Sequence, residues 1–169
     1  MKCECGCASR TIGAFVLEKL DAVEPMAREA LRDAERQGDV RSEHFAHHFL
    51  ADCALIRGDA EAAAPRYRRA LELALALGDR SETAVEIQGV AMAAAGMSRA
   101  ERALMLGGAA SAEFDRLGID LSAIRFWNAL IERYLNLARD TLGPIAAEAA
   151  WQAGRSMGFE RAGQEALLQ

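Results

Sequence analysis

Apolar residues recur along this chain at spacings of three and four, which is the pattern of helices that bury one face. Gly-Asp pairs follow several of these stripes, and Gly ends helices while Asp begins the next one. The pattern predicts nine helices, near residues 5–17, 21–37, 41–57, 60–77, 80–95, 98–117, 120–139, 144–157 and 160–168.

The pattern also repeats at a fixed period. The segment 38–43 recurs at 78–82 and, more loosely, at 118–122, and Pro25 and Pro65 keep the same register. A fixed period of about 40 residues is typical of stacked helix pairs, in which each unit buries its apolar face against its neighbours. The sequence therefore predicts an all-α repeat protein.

Composition and charge limit the classes of function that the sequence allows. The 169 residues are 51% hydrophobic but only 6% aromatic, with three Pro, which favours helices. The net charge of -5 argues against direct nucleic-acid binding. No apolar run approaches the roughly 18 residues of a membrane span, and the N-terminus lacks the apolar core of a secretory signal. We expect no membrane association and a cytoplasmic protein.

One helix carries a family signature. Gly58-Asp59, Ala63, Tyr67 and Ala70-Leu71 resemble the second helix of the tetratricopeptide repeat (TPR), whose standard period is shorter, at about 34 residues. The longer repeat is similar to those of bacterial LuxR-type transcriptional regulators and AAA-type adenylate or guanylate cyclases, members of the STAND signalling ATPases. Three further segments are similar to the C-terminal region of those proteins, namely residues 100–110, 142–143 and 149–155.

The resemblance implies a right-handed α-α superhelix of about four TPR-like helix pairs, closed by a short C-terminal capping helix. We expect one domain over residues 9–169 and a flexible N-terminus over residues 1–8. The resemblance also implies a non-catalytic module that binds a protein, a peptide or a small effector, as part of or related to a bacterial transcriptional regulator. Self-association through the exposed ends of the stack is a further expectation.

In such a superhelix, the first helix of each pair lines a concave groove, and this groove is the predicted binding surface. His48, Gln88 and Asn128 each stand one repeat apart and could donate and accept hydrogen bonds along a peptide backbone. The alternative is that these positions are ordinary solvated residues of amphipathic helices. The predicted groove residues are Phe45, His48, Asp52, Val85, Gln88, Met92, Arg125, Asn128 and Glu132.

A second functional class is a small metal-binding or thiol-redox protein. Thiolates and imidazoles are ligands that zinc or copper prefers, and the chain carries Cys3, Cys5 and Cys7 near its N-terminus. The repeat register places Cys7 beside His47, with His44 and His48 nearby. Alternating Cys lacks the spacing of structural zinc sites, so no metal and no cofactor is favoured.

Catalytic motifs point to no enzyme. Residues 154–158 read Gly-Arg-Ser-Met-Gly, which fits the nucleophile elbow of hydrolases, but that chemistry needs a strand before the Ser. The residues before Ser156 have a helical pattern, so we interpret the motif as a helix C-terminus. Neither Lys2 nor Lys19 lies in a Gly-rich phosphate loop.

Overall fold

The computed structural model describes residues 20–168, and these residues form eight α-helices and no β-strand. The predicted all-α class is therefore confirmed for this part of the chain. The helix predicted near 5–17 and the segment 1–8 lie outside the described residues. The helices are α1 (Leu20–Gln37), α2 (Val40–Ile56), α3 (Ala60–Leu77), α4 (Arg80–Gly96), α5 (Ala100–Leu117), α6 (Arg125–Leu142), α7 (Pro144–Arg155) and α8 (Phe159–Leu167).

The predicted helix bounds agree closely with the observed ones, except at α6. Helix α6 begins at Arg125, more than one helical turn later than predicted. The carboxylate of Asp120 accepts a hydrogen bond from the Ser122 amide at 2.8 Å, and the Ile124 amide donates to the Leu121 carbonyl at 2.9 Å. An Asp side chain that binds a nearby backbone amide competes with helix formation, which explains the late start.

Three aspartates begin helices by the same mechanism. The Oδ1 atoms of Asp39, Asp59 and Asp79 accept hydrogen bonds from the amides three residues later, at 3.1, 2.9 and 3.2 Å. Each bond satisfies an amide that has no partner inside the helix, and such a cap stabilises a helix by about 1 kcal/mol. These caps fix the starts of α2, α3 and α4.

The turns repeat with the period of the sequence. Gly38, Gly78 and Gly118 follow α1, α3 and α5, and each has a φ of +66°. After each glycine, the next amide donates to the carbonyl five residues back, at 3.0, 3.1 and 2.9 Å. A left-handed residue that closes such a bond is the Schellman type of helix ending, which favours Gly. The turns after α2 and α4 are also alike, with Gly58 at φ +83° and Ser98 at +62°.

Helices α1 to α5 each pack on the next helix along the chain, but the last helices do not continue this order. Helix α7 packs mainly on α5, and α8 lies against α3, α4 and α5. The Arg102 guanidinium holds the end of α8 by donating to the carbonyls of Glu165 at 2.5 Å and Leu168 at 2.7 Å. Ala162 and Ala166 of α8 are fully buried, so this helix covers part of the core.

Small residues allow the helices to approach closely. Tyr67 packs on the bare backbone of Gly89, and a Cβ at Gly89 would overlap its ring. At the crossing of α5 and α7, a Cβ at Gly154 would overlap the Met105 carbonyl oxygen. Both glycines are buried. Helix–helix distances here therefore depend on the absence of a side chain.

No helix within residues 20–168 is sufficiently long and apolar to cross a bilayer.

The crossing of α5 and α7 gives the first prediction. Gly154→Ala should destabilise the protein by about 1–3 kcal/mol, because a backbone carbonyl must move to admit the methyl group. Gly163→Ala is the matched control: its nearest neighbour would be Leu75 Cδ2 at 3.7 Å, and Ala favours the helix by up to about 1 kcal/mol. Urea unfolding of both variants measures the difference. Similar free energies of unfolding would contradict the observed crossing.

Candidate functional site

Helix α2 is buried on most of its surface, because α1, α3 and α4 pack against it. Its polar side chains are therefore enclosed along with its apolar ones. His44, His47, His48 and Asp52 are exposed by 1, 8, 9 and 0%. Buried polar groups require partners, and those of α2 come from α3 and α4.

Glu86 of α4 joins two of these histidines. Its Oε1 atom lies 2.9 Å from His44 Nε2 and 2.9 Å from His48 Nδ1. Glu86 itself is completely buried. Because a buried carboxylate is costly unless it is paired and hydrogen-bonded, both rings act as its partners.

Asp52 extends this cluster toward α3. Its Oδ1 atom accepts a hydrogen bond from the Tyr67 hydroxyl at 2.5 Å. Its Oδ2 atom lies 3.3 Å from His48 Nε2. His48 thus stands between two buried carboxylates, those of Asp52 and Glu86. We call His44, His48, Asp52, Tyr67 and Glu86 the buried polar cluster.

The charges of the cluster follow from burial and proximity. Burial opposes the charge of His48, but Asp52 and Glu86 outweigh this effect and raise its pKa to about 10. Burial also raises the pKa of Asp52, to about 6. Glu86 is equally buried, yet the adjacent His48 and His44 bring its pKa below the usual value. At neutral pH His48 is therefore protonated and Glu86 ionised.

Helix α6 lies over the cluster. The indole ring of Trp127, which is 3% exposed, has its centroid 5.2 Å from the His48 ring and 6.4 Å from the Tyr67 ring. Further along α6, the Tyr134 hydroxyl donates to the Leu55 carbonyl of α2 at 2.7 Å. These contacts place α6 across the face on which the sequence predicted an open groove.

The prediction of an open groove is wrong for four of its nine residues, because neighbouring helices cover them. Gln88 is 3% exposed, and its side-chain nitrogen makes no hydrogen bond within the described part of the chain. Burial of these four residues removes the predicted row of accessible hydrogen-bonding groups. The covered residues are His48, Asp52, Gln88 and Met92.

The other five predicted residues remain at least partly accessible. Phe45 and Val85 are half-buried at the edges of the apolar core. Asn128 is also half-buried, and its amide donates to the Leu121 carbonyl at 2.9 Å, which gives it a structural role. Arg125 and Glu132 are exposed on α6. Whether these residues bind a partner stays a prediction.

Three members of the predicted thiol site, Cys3, Cys5 and Cys7, lie outside the described residues. His47, its fourth member, lies beside the Arg66 guanidinium, at 3.3 Å from Nδ1 to Nη1. Burial, with a contribution from Arg66, lowers the pKa of His47 to about 4. Cys53 is buried in α2, and burial raises the pKa of its thiol to about 12, so this thiol is unreactive.

The Gly-Arg-Ser-Met-Gly motif lies at a helix terminus, as predicted. Ser156 follows the last residue of α7, with φ −88° and ψ −8°, and its amide donates to the Gln152 carbonyl. No strand precedes it, since residues 144–155 form the helix.

Sequence reasoning missed Glu86, Tyr67 and Trp127 as members or neighbours of the site. A signal for Glu86 exists in the sequence, since this charged residue interrupts the apolar run of α4 between Val85 and Ile87. A charged residue on the buried face of a helix requires an opposite charge nearby. The residue one repeat before Glu86 is Ala46, so the repeat register alone could not identify its histidine partners.

Comparison with known proteins adds no relative. No family model matches the chain, and neither a curated protein nor a solved structure is significantly similar to it.

The Tyr67–Asp52 bond gives the second prediction. Tyr67→Phe should lower the free energy of unfolding by about 1.5–3 kcal/mol, because it removes the donor from a buried, charge-assisted hydrogen bond. The Tyr134 hydroxyl donates to a neutral carbonyl, so Tyr134→Phe should lower the free energy of unfolding by only about 0.5–1.5 kcal/mol. Both rings are buried, so loss of packing is matched. Chemical denaturation at pH 7 measures the loss of unfolding free energy in each variant. Equal losses would contradict a charged Asp52 carboxylate.

Proposed function

We propose that the chain is a non-catalytic protein-interaction or signal-sensing module built from TPR-like helix pairs that wind as a right-handed superhelix. On this proposal it is related to the C-terminal region of bacterial LuxR-type regulators and AAA-type cyclases. The observation that carries the proposal is the recurrence of one turn geometry once in every repeat, at Gly38, Gly78 and Gly118. Repeated units of this kind serve as binding scaffolds.

The second type of turn supports the same repeat. The amides of Asp59 and Arg99 each donate to the carbonyl five residues earlier, both at 2.9 Å. Small residues also recur at the starts of the following helices, where Ala60 and Ala100 are both buried. Recurrence in two kinds of turn and in buried small residues favours duplicated helix pairs over a chance similarity of composition.

The binding surface that we propose combines four accessible residues of the predicted groove with the neighbouring Phe126, and leaves out Asn128, whose side chain is bonded to the Leu121 carbonyl. We call Phe45, Val85, Arg125, Phe126 and Glu132 the rim surface. Phe45 and Phe126 pack beside the same small apolar cluster, which joins them across α2 and α6. Arg125 and Glu132, both exposed on α6, supply both signs of charge. This combination suits an amphipathic peptide or helix of a protein partner.

The end of the chain that carries α6 and α7 supports self-association as a second proposal. Ile145 is 88% exposed and Leu137 is 49% exposed. Large apolar side chains with this exposure favour contact with another apolar surface. A helix at the end of a stack has no neighbouring repeat on one side, and contact with another molecule covers that side.

Site-specific photocrosslinking tests both proposals. A photoreactive amino acid replaces Arg125 or Glu132 in the full chain, expressed in cells of the source organism, because both side chains are exposed and take no part in the core. We expect a heteromeric adduct from the rim surface and little or none from Arg161, an exposed control on α8. The same probe at Ile145 reports self-association as a covalent dimer. Equal adduct yields at Arg125 and Arg161 would contradict the rim surface as the binding site.

A further inference from the structure

Three side chains beside the buried polar cluster form the geometry of a cation site. His44, Glu82 and Glu86 each offer one ligand atom, and these atoms lie within 4.8 Å of one another. Glu82 and Glu86 are four residues apart on α4, so they share one face of the helix, and His44 faces them from α2. An imidazole with two carboxylates is a ligand set that zinc and similar divalent ions accept.

A second observation, independent of the clustering, indicates that a ligand belongs there. Glu86 is completely buried, and its Oε2 atom accepts no hydrogen bond from any residue in the range 20–168. The two histidine contacts both use Oε1. A buried carboxylate oxygen without a partner is costly, and it is rare in folded proteins unless an ion or another ligand satisfies it.

The charge balance points the same way. Asp52, Glu82 and Glu86 bring three carboxylates to this region, against the two imidazoles of His44 and His48. A divalent cation would offset the charge of the carboxylates.

An ion-pair network without a metal accounts for only part of this arrangement. It satisfies Glu86 Oε1 through His44 and His48, but it leaves Oε2 of the same carboxylate without a donor among the described residues. A cation shared by the three side chains would supply the missing partner.

We propose that His44, Glu82 and Glu86 bind a divalent cation of the Zn²⁺ class, and that His48 positions Glu86 for this ion. His48 donates from Nδ1 to Glu86, so a hydrogen bond from outside the ligand set holds this carboxylate, while His48 Nε2 lies 3.3 Å from Asp52 Oδ2. The ion links α2 to α4. Glu82 is half-exposed, whereas His44 and Glu86 are buried, so the ion enters past Glu82.

The test uses the full chain with Cys3, Cys5 and Cys7 replaced by Ser, so that these thiols cannot compete for metal. After removal of metal with a chelator, Zn²⁺ is titrated calorimetrically. We expect one equivalent of Zn²⁺ to bind, and saturating Zn²⁺ to raise the melting temperature. The affinity should be at least about tenfold weaker in His44→Ala and in Glu82→Gln. Mg²⁺ should not compete, because it disfavours imidazole ligands.

His47→Ala is the matched control, since His47 is buried on the same helix but faces Arg66 rather than the site. It should bind Zn²⁺ as the parent does. Glu82→Gln keeps the size of the side chain at a half-exposed position, so circular dichroism should show an intact fold. Absence of Zn²⁺ binding in the triple-Ser parent, in which Cys3, Cys5 and Cys7 are replaced, or equal weakening in His47→Ala and His44→Ala, would overturn the proposal.

Co²⁺ provides an independent readout of the ligands. Co²⁺ bound to the triple-Ser parent should give visible d–d bands without thiolate charge-transfer absorption, because nitrogen and oxygen atoms are its ligands. The bands should be lost in His44→Ala and retained in His47→Ala. Thiolate charge-transfer absorption in the triple-Ser parent would overturn the assignment, because Cys53, the one cysteine left, would then be the ligand.

Discussion

The packing of α6 across α2 and α4 is the constraint on which the rest of this structure depends. Trp127 lies against His48 and Tyr67, and Tyr134 is bonded to the backbone of α2. This contact removes water from a face of α2 that carries both acidic and basic side chains. Without water, each charged group needs a partner inside the protein. His48 is accordingly paired with Asp52 and Glu86.

Local features of the sequence predicted the helices well because their ends are determined by neighbouring residues. The Asp caps and the left-handed glycines act within one turn of the helix, so spacing alone reveals them. The start of α6 escaped prediction because the Asp120–Ser122 hydrogen bond formed a turn instead. The sequence also did not predict that α7 packs on α5, because the close crossing at Gly154 depends on tertiary contact.

The candidate site was predicted only in part, and for the same reason. Helical spacing placed His48 and Asp52 on one face of α2, which is correct, but spacing carries no information about what covers that face. The repeat register aligned His48 with Gln88, whereas the structure pairs it with Glu86. Charge and burial determine partners across helices, so half of the polar residues predicted to line a groove belong to the interior. The binding role that we propose falls to the groove residues that remain accessible and to Phe126 beside them.

Fluorescence of Trp127 tests the central claim, that α6 encloses the buried polar cluster, most directly. The chain has two Trp residues, so Trp151→Phe leaves Trp127 as the sole emitter. The account predicts blue-shifted emission that iodide and acrylamide quench weakly, and a shift to the red on unfolding, since Trp127 is 3% exposed. Emission of the native protein at the position of solvated indole, with quenching equal to that of the unfolded chain, would contradict it.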